Sequence, residues 1–185
     1  AQALRVMVAA HMDEIGLMVT GHDSEGFLRV AAVGGIDARL LPGSCLQVGP
    51  ERIPGVIGIK PIHLLRENGD QEVPKIEDLV VDIGASSKDE AKKLAALGTY
   101  VAFTTPFREL GPTVSGKAFD DRAGCAVLVE LVRGERFGFD LHAVFTVQEE
   151  VGLRGARVAA YAIEPHCAFV LEGTIADDTP KDKDV

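Results

Sequence analysis

The sequence predicts an α/β fold built on a mostly parallel sheet flanked by helices, with a small all-β module inserted near its start. Two observations carry this expectation. The chain opens on an apolar run, Leu4 to Ala10, and two more follow late, Leu141 to Val147 and Cys167 to Leu171, with a helical pattern between them. From Glu14 to about Pro112 the texture changes to short strand-like runs broken by turn residues, which is the spacing of an all-β module. The α/β part is therefore expected from residues 1–13 and 113–185, and the inserted part from residues 14–112.

Taken in order, Ile15 to Thr20 and Phe27 to Val33 flank the polar turn His22-Asp23-Ser24-Glu25-Gly26 and should pair as a hairpin. Further strands are expected at Ser44–Val48, Arg52–Lys60, Leu79–Ile83 and Tyr100–Thr104, with Arg66 to Lys75 as an exposed loop. One helix interrupts them: Ser87 and Glu90 fit a capping box, Ala91, Leu94, Ala95 and Leu97 give an apolar side, and Gly98 ends it. Asp120 or Asp121 can then cap a helix running to about Val132, apolar on nearly every side and so expected to be buried. Leu141–Val147, a helix over Arg154–Ala162 and Cys167–Leu171 read as a β-α-β unit, a parallel pair joined by a right-handed crossover. The first strand should join that sheet.

Composition excludes several functions. With 185 residues, 46% hydrophobic and 25% charged, the chain suits one ordinary domain or two small ones and not a disordered segment. Nineteen Lys+Arg against 28 Asp+Glu give a net charge of −9, which repels a phosphate backbone and an anionic membrane. No apolar run approaches the ~18 residues of a membrane span, and no signal-peptide pattern opens the chain. Cys45, Cys125 and Cys167, odd in number and scattered in apolar surroundings, read as free thiols acting as small core residues, so a cytoplasmic location is expected. The abrupt ends, a strand that starts at once and a polar run after Pro180, lead us to expect a piece of a longer protein.

Ligands of open α/β sheets bind beyond the carboxyl ends of the strands. There the sequence places His11 and Asp13, then Glu149 and Glu150, then Glu172, while Asp120 and Asp121 start the helix that can face the same rim. Each feature alone has a plainer reading: a core histidine, a solvated Glu-Glu turn, a helix cap. Their coincidence on one edge points to a divalent-cation site, since imidazole and carboxylate are the ligands of Zn²⁺, Co²⁺ and Mn²⁺. In His-x-Asp the carboxylate can reach back to hold the imidazole that binds the ion. Of the adjacent glutamates, one can ligate a cation while the other takes a proton from water, the division of labour in metal-assisted hydrolysis. His22 is expected to be solvated in its turn, and His142 and His166 to be structural.

Five motifs in order then resemble the tetrahedral (TET) aminopeptidases, a family of dinuclear metallopeptidases that includes glutamyl and leucyl aminopeptidases and members described as endoglucanases. They are His11-Met12-Asp13-Glu14-Ile15-Gly16, Lys60-Pro61-Ile62-His63, Gly116 to Cys125 (GKAFDDRAGC), Gln148 to Ala156 (QEEVGLRGA), and Leu171-Glu172-Gly173-Thr174 followed by Asp178-Thr179-Pro180. The resemblance implies a zinc-peptidase-like α/β domain, incomplete here, with a small β-barrel-like dimerisation domain inserted. It implies two divalent ions, Zn²⁺, Co²⁺ or Mn²⁺, bridged by Asp120, with His11 and Glu172 on one and Glu150 on the other. Glu149 would be the general base and Asp13 would orient His11. The family takes a further His from beyond the Glu172 motif, so the second site would keep only two of its protein ligands here. The activity implied is removal of N-terminal residues from peptides by a self-associating protein. Two rivals stand beside it: a metal-independent glycosidase, for which a chain with no Trp and two Tyr is poorly furnished, and a non-catalytic oligomerisation fragment.

Overall fold

The computed structural model describes residues 3–59, 74–134 and 136–176. These form two compact units: residues 14–118 with the turn 150–152, and the remainder. The expected loop over Arg66–Lys75 lies outside the described residues as far as 73, as do Lys60 and the Lys60–His63 and Asp178–Pro180 motifs.

The inserted unit is a closed six-strand barrel. Its strands are β2 (Gly16–His22), β3 (Leu28–Val33), β4 (Cys45–Val48), β5 (Ile53–Gly58), β6 (Val80–Asp82) and β7 (Tyr100–Phe103), in the order β2-β3-β6-β5-β4-β7. Closure leaves the barrel without a free edge. Alternation sends Leu17, Val19, Leu28, Val30, Leu46, Val48, Val81 and Val101 into one core, and helix α1 (Lys88–Leu94) adds Ala91 and, at its C-cap, Ala95. Ser87 caps α1 as expected, accepting from the Glu90 N–H, whereas the Glu90 carboxylate reaches past it to the N–H and hydroxyl of Ser86. The β2–β3 turn is held by Asp23, whose Oδ1 accepts from the N–H groups of Glu25 and Phe27 at 3.0 Å each. β2 runs through a bulge after Val19 to His22, so His22 ends a strand and is half-buried where a solvated turn residue was expected: its ring donates from Nε2 to the Ala95 carbonyl at 2.6 Å. A further hairpin, β8 (Arg108–Leu110) with β9 (Thr113–Ser115), was not expected, its three-residue strands being too short to show an alternation.

The other unit centres on β1 (Arg5–His11), flanked by β10 (Asp140–Thr146) and β11 (Cys167–Val170), all parallel, with helices α2 (Phe119–Arg133) and α3 (Arg154–Ile163). Here the expected pairing of β10 with β11 is corrected, because β1 lies between them. β1 is apolar from Val6 to Ala10 and buried from Val6 to His11, so it takes the position where both neighbours and both faces are covered. Val6, Val8 and Ala10 pack on Cys125 and Leu128 of α2. α2 is not buried on all sides: Val127, Val129 and Val132 are exposed, as is the whole edge strand β11. Of the cysteines only Cys125 is a core residue, since Cys45 and Cys167 are exposed. Among the described residues no helix is long and apolar enough to cross a membrane.

Candidate metal centre

His11 ends β1 and is 3% exposed. Its Nδ1 faces the Asp13 backbone carbonyl at 3.0 Å, an oxygen that can only accept, so Nδ1 carries a hydrogen. The Asp13 carboxylate stands farther off, at 3.5 Å, and its Oδ1 accepts from the Glu149 backbone N–H at 3.2 Å. The ring is thus oriented by the Asp13 main chain, while the Asp13 side chain fixes Glu149.

With Nδ1 occupied, Nε2 points at three carboxylates: Asp120 Oδ1 at 2.9 Å, Glu172 Oε1 at 3.4 Å and Glu149 Oε2 at 3.8 Å. Each comes from a different element. Asp120 stands at the start of α2, Glu149 follows β10, and Glu172 follows β11, whose ladder ends with the Leu171 N–H on the Ala9 carbonyl at 2.9 Å. The Glu149 loop is pinned because the carbonyls of Val147, Gln148 and Glu149 accept from the N–H groups of Gly155, Arg154 and Leu153. One ligand atom each from His11, Asp120 and Glu172 falls within 4.8 Å of the others.

Electrostatics follow from this crowding. Burial alone lowers the His11 pKa, but the hydrogen bond to Asp120 and the charges of Glu172 and Glu149 outweigh it and raise the value above 6.5. Glu172 is raised by burial and then by the hydrogen bond and charge of Asp120, with His11 pulling the other way. Three acids around one imidazole need a positive charge among them. A proton on Nε2 would supply it, and a divalent cation fits the same donor set, one neutral nitrogen with several carboxylate oxygens.

Asp120 and Asp121 divide the work that the sequence leaves open between them. Both have non-helical backbone angles, and Asp121 caps the helical turn that follows, its Oδ1 accepting from the Gly124 N–H at 3.0 Å. A Cβ at residue 124 would lie 2.3 Å from that oxygen, so glycine is required there. Asp121 is 1% exposed, and Asp120 is left free to face His11. Glu150, one peptide bond beyond Glu149, is half-buried in the turn 150–152 that groups with the barrel unit. His166 is structural, its Nδ1 accepting from the Arg5 N–H at 3.0 Å.

The whole chain, residues 1–185, matches the profile of the family described as M42 glutamyl aminopeptidase. Lysyl aminopeptidase of Pyrococcus furiosus is 41% identical over 189 aligned residues, covering 98% of this chain and 54% of that protein. Among solved structures, an aminopeptidase from the archaeon Desulfurococcus kamchatkensis superimposes with a TM-score of 0.88 at 40% identity, covering 97% of this chain and 50% of that one. The TET1 peptidase of Pyrococcus horikoshii, which can assemble into a tetrahedron or a large octahedral shell, does so with a TM-score of 0.79 at 42% identity, covering 93% and 53%. The chain spans about half the length of the curated relatives it matches.

Proposed function

The chain belongs to the M42 glutamyl aminopeptidase family, and from that premise we propose that it carries the metal centre of an aminopeptidase that removes N-terminal residues from peptides. The observation that carries this reading is the convergence of Asp120, Glu149 and Glu172 on the Nε2 of a buried His11 at the carboxyl edge of a parallel sheet. His11, Asp120 and Glu172 would hold one divalent ion, and Asp120 with Glu150 would contribute to a second, zinc or cobalt in each case. Bound ions supply Lewis-acid polarisation of the scissile carbonyl and acidify the attacking water.

The chain's own residues then divide the remaining work. Glu149, partly buried and held at its backbone N–H by Asp13, takes the proton from the attacking water and delivers it to the leaving amine. Asp13 acts as a positioning residue twice, through its carbonyl on His11 Nδ1 and its carboxylate on Glu149. The negative rim also suits the free α-ammonium group that distinguishes an exopeptidase substrate from an internal peptide bond. The barrel unit, which exposes Leu97, Tyr100, Phe107 and Leu110, serves self-association, in keeping with the assembling structural relative. The exposed thiols Cys45 and Cys167 suit a reducing, cytoplasmic setting.

The decisive experiment is hydrolysis of a panel of aminoacyl-p-nitroanilides by the full chain before chelation, after it, and after return of Zn²⁺ or Co²⁺. Loss on chelation and recovery on readdition are expected. Hydrolysis indifferent to chelators, or cleavage of a β-glucan instead, would transfer the site to the glycosidase reading.

A further inference from the structure

The ladder hydrogen bonds between β1 and β11 stop at Ala9, two residues short of His11. Beyond that point the backbone of a buried residue needs other partners, because an N–H or C=O shut away from water is costly when unpaired. The first turn of α2 provides them, more than 100 residues away in sequence. Asp121 Oδ2 accepts from the His11 N–H at 3.2 Å. The Cys125 thiol donates to the His11 carbonyl at 3.2 Å. Arg122 donates from Nε to the Met12 carbonyl at 2.6 Å. The remaining group, the Met12 N–H, donates to the Thr146 carbonyl of β10 at 2.8 Å.

Three side chains of one helical turn therefore take over where the sheet ends, and none of them reaches the ring of His11 or the carboxylates it faces. Asp121 uses both oxygens, one for the Gly124 N–H and one for His11, and the missing Cβ at Gly124 is what lets it lie so close. The same turn begins directly after Asp120. These bonds oppose a shift of α2 along β1, which would pull Asp120 away from His11 and break the 2.9 Å contact between them.

We propose that Asp121, Arg122 and Cys125 are positioning residues that lock His11 to α2 and so set the affinity of the centre for its divalent ion. This rests on the metal-binding reading of the site. A carboxamide at 121 accepts at one atom only and would turn its NH₂ group towards one of the two N–H donors, so Asp121→Asn breaks the grip without changing volume. Outer partners that orient a ligand are worth 10- to 100-fold in metal affinity.

The test is competition of the full chain with a chromophoric chelator for Zn²⁺, together with the visible absorption of the Co²⁺ form. Asp121→Asn and Cys125→Ala should each weaken Zn²⁺ binding by about 10- to 100-fold and shift the Co²⁺ band. Cys125→Ser, which restores a donor at the same place, should return both to near wild type, a rescue that loss of core packing would not show. If Asp121→Asn does not fold, the Cys125→Ala and Cys125→Ser pair decides alone. Wild-type affinity and spectrum in folded Cys125→Ala overturn the inference and leave the metallopeptidase reading standing. A wild-type chain that takes up neither ion overturns both.

Discussion

Glu149 and Glu150 are one peptide bond apart, yet the roles proposed for them separate cleanly in experiment. Glu149→Gln keeps the shape and the Asp13 contact, which is made by the backbone N–H, and removes only the base. It should lower kcat by about 10²- to 10⁴-fold with metal content unchanged. Glu150→Ala should instead lower metal content, and equal metal content in the two variants would overturn this division of roles. His11 gives a pH prediction of definite sign. Its pKa is raised above 6.5 in the folded, metal-free chain, so the protonated pair with Asp120 stabilises that form at low pH and the stabilisation is lost as pH rises through the raised value. Ionising Glu172, also raised, acts in the same direction. A divalent ion competes with the His11 proton, so Zn²⁺ should bind more weakly as pH falls through this window. Thermal unfolding with chelator and with Zn²⁺, from about pH 6 to 8.5, checks both slopes, and a Zn²⁺ effect that is flat with pH would remove His11 from the ligand set.

Strand β1 and helix α2 are the elements on which the site depends, and Leu128 is where they meet. It is fully buried against Val6, Val8 and Ala10, so Leu128→Ala should destabilise the chain by about 2–5 kcal/mol. Denaturant unfolding of the full chain measures this, and a change under about 1 kcal/mol would mean that the interface collapses to fill the space. Both elements are legible in the sequence because each writes its environment locally: β1 as an unbroken apolar run, α2 as an acidic cap followed by small and apolar residues. The barrel strands show through alternation for the same reason. What stayed illegible depends on pairing at long range. Nothing local in Leu141–Thr146 or Cys167–Val170 says that β1 lies between them. The β8–β9 hairpin has three-residue strands with little burial, and so no period to read. His11, Asp120, Glu149 and Glu172 could be placed on one rim because strand ends are visible in sequence. The Asp121–His11 grip could not, since it joins a side chain to a backbone group 110 residues away.

At the scale of the whole molecule, net charge and apolar exposure oppose one another. Each copy carries −9, so copies approaching one another repel over the range of the Debye length, about 30 Å at 0.01 M salt and about 8 Å at 0.15 M. The barrel unit nevertheless exposes Leu97 and Tyr100 by about two thirds, and burying such side chains is a short-range gain that salt does not weaken. Self-association through that unit should therefore strengthen as salt is added, the reverse of what contacts between opposite charges would give. Light scattering of the full chain between these two salt concentrations is expected to show mass rising with ionic strength. Leu97→Asp with Tyr100→Asp should reduce that mass and leave Zn²⁺ affinity unchanged, because neither residue is among the proposed metal ligands or their positioning residues. Mass that falls with salt would mean that the contacts are ionic. Mass that the double variant does not alter would place them on another surface of the chain.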